Sequence, residues 1–174
     1  MSDTFLRPDD RAAPDTVALG AARWSVRTAQ PEDLPGAVAG IASLLGELGG
    51  SPPPAASLLR AAQLLLEDAC AGELLVAATD ERVVGVLGAS WTHAIRTAGR
   101  YAAIQELWVD AAWRSRRVGA ALIAALVELA RARGVGRIEV GLPSARFQAL
   151  AYTRAFYAEN GFEALGERMR LTVS

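Results

Sequence analysis

The chain has 174 residues, 52% of them hydrophobic, with a formal net charge of -1. That suffices for one soluble globular domain with a real core, and it excludes the global positive field of a nucleic-acid or anionic-membrane binder. All 18 basic residues are arginine, a codon bias that fits a bacterium with GC-rich DNA, and the single Cys70 excludes an internal disulfide and a cysteine-built metal site. Residues 1–22 mix Pro, Asp, Arg and Ala without an apolar period and read as a flexible tail, leaving a single domain over 23–174. The tail lacks the apolar core of a signal peptide. No apolar run reaches the ~18 to 20 residues of a membrane span, so a cytoplasmic protein is expected.

Trp24, Val26 and Thr28 alternate with polar neighbours as a first strand does. Pro31, Glu32 and Asp33 then start a helix, with proline tolerated in the first turn and two acids facing the dipole. It carries Leu34, Val38, Ile41, Leu45 and Leu48 until Gly49-Gly50 and three prolines break it. A second helix is predicted from Ala55 to about Cys70, with Leu58, Ala62, Leu65 and Ala69 on one stripe and Cys70 as a buried thiol on its apolar face. Leu74–Thr79 and Val83–Trp91 flank Asp80-Glu81-Arg82 as a hairpin, and 93–100 read as a polar loop. The strand that follows does not alternate cleanly: Ile104 and Val109 cannot both share a face with Leu107 unless one extra residue, near Gln105 or Glu106, bulges the strand. Arg137–Leu142 reads as a fifth strand, Ala149–Asn160 as a helix capped by Gly161, and Glu163–Leu171 as the last strands.

The stretch from Ala103 to Leu126 is the most informative. A strand ends at Val109, a short loop runs from Asp110, and a helix carries Val118, Leu122, Leu126 and Leu129 at three-to-four spacing. Gly119 falls in its first turn, where glycine costs about 1 kcal/mol relative to Ala, which points to a ligand approaching the backbone. The orphan amides of Arg117, Val118, Gly119 and Ala120 make an anion site, reinforced by Arg114, Arg116 and Arg117. A strand-loop-helix unit with nearby arginines is also an ordinary structural arrangement.

These residues resemble the acyl-CoA-binding core of the GNAT acyltransferase superfamily, in which a strand ending in Val and an Asp-Pro-Glu-like corner lead to Arg-x-x-Gly-x-Gly at a helix start. Val109, Asp110, Trp113, Arg114 and Gly119 take those places, with Arg117 where the family has its first glycine; a shifted register, Arg116 to Gly119 to Ala121, satisfies a looser form. Phe156-Tyr157 followed by Gly161-Phe162 is similar to the second signature, although Leu150 stands where an Asn is common and Gln148 is the nearest amide. The resemblance covers roughly Trp24 to Thr172.

The resemblance implies an α/β (α+β) fold, a mixed, mostly antiparallel twisted sheet of about six to seven strands with helices on both faces. It implies an N-acyltransferase using acetyl-CoA as co-substrate, with direct attack by a primary amine in a ternary complex. Acetyl-CoA would lie against Leu107, Trp108, Val109, Arg114, Arg116, Arg117, Val118, Gly119 and Ala120. Glu106 is then the expected base, with Glu139 in reserve, and Tyr157 the general acid that protonates the departing thiolate. The acceptor is a small-molecule or peptide amine, and a homodimer is left open. No metal is expected: His93 is the one histidine. The competing reading is a catalytically inactive acyl-CoA-binding regulatory protein; nucleic-acid binding through the arginine cluster is disfavoured by the net charge.

Overall fold

The computed structural model describes residues 23–166. The tail expected over 1–22 and most of the strand region expected over 163–171 lie outside the described residues. Within them the chain forms β1 (Ser25–Thr28), α1 (Leu34–Glu47), α2 (Ala55–Glu67), β2 (Gly72–Ala78), β3 (Val83–Ala94), β4 (Gly99–Val109), α3 (Val118–Ala132), β5 (Ile138–Val140) and α4 (Leu150–Glu159). The strands make one five-stranded sheet in the order β1-β2-β3-β4-β5. Every pairing is antiparallel except β4 with β5. The described sheet is thus smaller than the six to seven strands expected.

Two apolar clusters show which helices cover which face. Leu34, Ala37, Leu74, Val76 and Val86 pack with Leu59, Leu65 and Trp108 beneath α1 and α2. Leu75, Leu87, Ala89, Ile104, Val118, Leu122 and Leu126 pack with Leu107, Val109, Phe156 and Tyr157 beneath α3 and α4. Ile104, Leu107 and Val109 therefore share a face, which strict alternation forbids. The register explains it: Gly88 pairs with Glu106 but Ala89 pairs with Ile104, so Gln105 is the extra residue of a β-bulge. Its side-chain Nε2 donates to Ser90 Oγ across the strands at 2.8 Å.

Two local expectations are corrected. α2 ends at Glu67, because the Asp68 carboxylate accepts the Cys70 backbone N–H at 2.8 Å and closes a turn in place of another helical turn. Cys70 is consequently exposed rather than buried. The predicted 93–100 loop is mostly strand: β3 continues through His93 to Ala94, and only a 3-10 turn over Ile95–Thr97 separates it from β4.

Candidate active site

β5 pairs with β4 only over Ala102–Ile104 and ends at Val140. Past the bulge, β4 runs on from Gln105 to Val109 with no strand on that side among the described residues. A backbone edge with unpaired N–H and C=O groups can hydrogen-bond an extended ligand as a further strand would. The edge leads to α3, whose first helical hydrogen bond runs from Ala121 N–H to Arg117 C=O at 3.0 Å. The amides of Val118, Gly119 and Ala120 precede it and have no partner within the helix, so they stand at its positive end.

Arg117 caps this helix in the left-handed region, φ 62° and ψ 12°. That geometry is the one glycine adopts at no steric cost, so the backbone keeps the shape of the family's glycine position while the side chain is an exposed arginine. The two other arginines are engaged. Arg114 donates to both oxygens of Glu47 at 2.7 and 2.8 Å and to the Val109 carbonyl at 3.1 Å, and the Arg116 guanidinium lies 5.1 Å from the centre of the Trp113 ring. Gly119 has a packing reason of its own. A Cβ there would stand 3.0 Å from the Phe156 ring and 3.7 Å from Val109, so the glycine lets α4 press onto the first turn of α3, independently of any ligand.

Glu106 and Tyr157 lie on opposite faces of the sheet. The Glu106 side chain is half-buried on the α1–α2 side, without a hydrogen-bond or ion-pair partner among the described residues, and burial alone raises its pKa. Tyr157 is buried on the α3–α4 side, edge-on between Phe156 and Phe162 with ring centres at 5.2 and 5.3 Å. Burial pushes its phenol up to about 12, so it stays protonated throughout the working range of an enzyme. Leu107 and Val109 pack into the α3–α4 core and Trp108 beneath α1, so only their backbone is offered to a ligand. Glu139, the reserve base, is buried and clamped by both Arg96 nitrogens at 2.6 and 2.7 Å, an arrangement suited to tying the 3-10 turn onto β5. His93 is exposed on β3, and Trp91 is buried under the Arg133 guanidinium.

Sequence reading missed Gly88, directly opposite Glu106 in the sheet. A Cβ on Gly88 would come within 2.5 Å of Glu106 Oε2. A glycine inside an otherwise apolar strand was the available signal.

The fold is one that known proteins share. Residues 42–162 match the family model described as the acetyltransferase (GNAT) family. No curated protein sequence matches the chain. Among solved structures, a transcriptional regulator from Bacillus halodurans C-125 is 28% identical with a TM-score of 0.72, over 87% of this chain and 100% of that one. An aminoglycoside acetyltransferase from an uncultured soil metagenomic sample is 19% identical, TM-score 0.67, over 87% of this chain and 95% of that one. A ribosomal-protein-alanine N-acetyltransferase from Brucella melitensis biovar Abortus 2308 is 20% identical, TM-score 0.67, over 87% and 100%. The last two likenesses concern the fold alone. With the family match covering most of the chain, including the β4 edge, the start of α3 and Tyr157, this protein belongs to the acetyltransferase (GNAT) family.

Proposed function

We propose that this protein transfers an acetyl group from acetyl-CoA to a primary amine, by direct attack within a ternary complex. The observation that carries the reading is the continuity of the open β4 edge with the orphan amides of α3: an extended arm that ends in a pyrophosphate fits a free strand edge followed by a helix N-terminus. Acetyl-CoA, when bound, supplies a thioester carbonyl that an amine can attack.

The protein's own groups then have separate tasks. The Val118, Gly119 and Ala120 amides hold the pyrophosphate, and the exposed Arg117 side chain is left for the nucleotide's further phosphate. A backbone N–H of Leu107, Trp108 or Val109 stabilises charge growing on the thioester oxygen. Glu106 accepts a proton from the incoming amine nitrogen, and its raised pKa brings its basicity nearer to that task. The Tyr157 hydroxyl gives a proton to the departing sulfur. A second reading, an acyl-CoA-binding regulator without turnover, is favoured by the 28% identity to a protein described as a transcriptional regulator.

Thiol release from acetyl-CoA, followed across a panel of amines, separates the two: steady turnover with at least one amine supports the enzyme, and acetyl-CoA binding without turnover on any amine supports the regulator. Ala120→Glu tests the site. A carboxylate in the first turn suits the helix dipole and spares the fold, yet it repels a pyrophosphate. Acetyl-CoA should raise the Tm of the wild type and leave the variant's Tm unmoved. Equal shifts in the two proteins would place the cofactor elsewhere.

A further inference from the structure

β3 contains two interior glycines, Gly85 and Gly88, on opposite faces of the sheet. Glycine in a strand interior weakens the strand and commonly marks a close approach by something else. For Gly85 the approaching group is the core: a Cβ there would meet Val118 at 2.8 Å and Leu122 at 3.1 Å, so the residue lets α3 settle onto the sheet. Gly88 has no such reason. Among the described residues, the only side chain within reach of its missing Cβ is Glu106, with Oε2 at 2.5 Å and Cδ at 3.7 Å. The carboxylate therefore lies flat over buried backbone, in the space where any other residue would put a side chain.

We propose that Gly88 is a positioning residue for the acceptor site: it forms the seat that holds the Glu106 carboxylate down on the sheet, where it meets the acceptor's amine nitrogen. This rests on the reading of Glu106 as the base. The bulge supplies the other half of the seat. Continued without a bulge, the Ala89–Ile104 register would put Glu106 opposite Leu87; the extra residue, Gln105, sets it opposite Gly88 instead, and the Gln105–Ser90 hydrogen bond holds that residue to β3. Charged and titratable groups on the surrounding elements do not set the carboxyl's protonation. His93 on β3, Glu139 on β5 (held by Arg96), Glu47 on α1 (held by Arg114), Arg60 and Glu67 on α2, and Arg100 and Tyr101 on β4 contribute nothing to its shift, which comes from burial alone.

Gly88→Ala tests the seat. The atom it displaces is the far end of a flexible side chain, so the sheet should survive while the carboxyl swings into water. In a carboxyl carbon-13 NMR titration of the ligand-free protein, Glu106 should titrate above the ordinary glutamate value of about 4.3 in wild type and fall toward it in the variant. The acetyl-CoA-induced Tm shift should be unchanged. With an amine that turns over, kcat should drop about tenfold or more, and the acid limb of kcat/KM should move to lower pH together with the NMR midpoint. An unmoved Glu106 midpoint in folded Gly88→Ala would overturn the proposal. If Gly88→Ala does not fold, Gly88→Ala/Glu106→Ala decides: a folded double variant shows that the two side chains compete for one space, and failure of both shows that Gly88 serves the backbone alone. Neither the titration nor the double variant needs acyl donor or acceptor, so their outcome is independent of whether the protein proves to be an acetyltransferase.

Discussion

Arg117 pays a backbone cost that its neighbours in the helix do not. For a residue with a Cβ the left-handed region costs roughly 1–2 kcal/mol, whereas glycine there loses only about 0.5–1 kcal/mol through the extra freedom of its unfolded chain. Arg117→Gly should therefore stabilise the protein by about 0.5–1 kcal/mol, a rise in Tm of about 2 °C for a domain of this size. Acetyl-CoA affinity should stay within a few-fold, because the Val118, Gly119 and Ala120 amides proposed for the pyrophosphate are retained and only one exposed side chain's contact with the further phosphate is lost. Differential scanning calorimetry with and without acetyl-CoA reads both quantities; a lower Tm would mean that the arginine side chain holds the loop. From sequence, Arg117 is visible as a departure from a glycine pattern. Its left-handed φ of 62° is not, because backbone conformation at a helix cap depends on how the loop from Asp110 returns to the sheet.

α1 shows how one element can hold glycines of opposite meaning. A Cβ at Gly40 would stand 2.5, 2.7 and 3.0 Å from three ring carbons of Trp108, a rigid ring packed beneath the helix. A Cβ at Gly46, still inside the same helix, meets nothing within 4 Å among the described residues. Replacing an interior helical glycine by alanine ordinarily gains about 1 kcal/mol. Gly46→Ala should realise that gain. At Gly40 overpacking, about 1–3 kcal/mol, outweighs it, so Gly40→Ala should be destabilising overall. Urea midpoints of the two variants check the signs, and a stabilised Gly40→Ala would mean that α1 does not sit on Trp108. The apolar spacing of α1 was legible as a helix, but nothing in its own sequence separates Gly40 from Gly46. The difference lies on β4, 68 residues from Gly40 in the chain, where the bulge turns Trp108 toward α1. The bulge itself could be inferred because Ile104 breaks the alternation of Leu107 and Val109. The seat at Gly88 could not, because it needs the β3–β4 register.

At the scale of the whole molecule, the sheet separates the face under α1 and α2, where we propose the acceptor binds, from the face under α3 and α4, and the open edge of β4 lies between them. Local alternation and helical period make most elements readable, whereas ion pairs between distant elements were not foreseen. The pair of Glu47 and Arg114 is the instructive one, since it spans 67 residues and fastens the end of α1 to the loop that enters α3. Both side chains are substantially exposed, at 49% for arginine and 39% for glutamate, so the pair should add no more than about 1 kcal/mol to stability. Its larger consequence concerns charge. Glu47 occupies the very guanidinium that the arginine cluster was expected to offer to a phosphate, and acetyl-CoA would have to compete for it. Glu47→Gln removes the competing charge while keeping a hydrogen-bond acceptor for Arg114. Tm should change little, and acetyl-CoA should bind several-fold more tightly at low ionic strength, with the advantage shrinking as salt screens the exposed groups. Isothermal titration of both proteins across a salt series measures this. If Glu47→Gln binds acetyl-CoA no better at any salt, Arg114 is a brace between α1 and the α3 loop, and the phosphate site consists of the helix amides with Arg116 or Arg117.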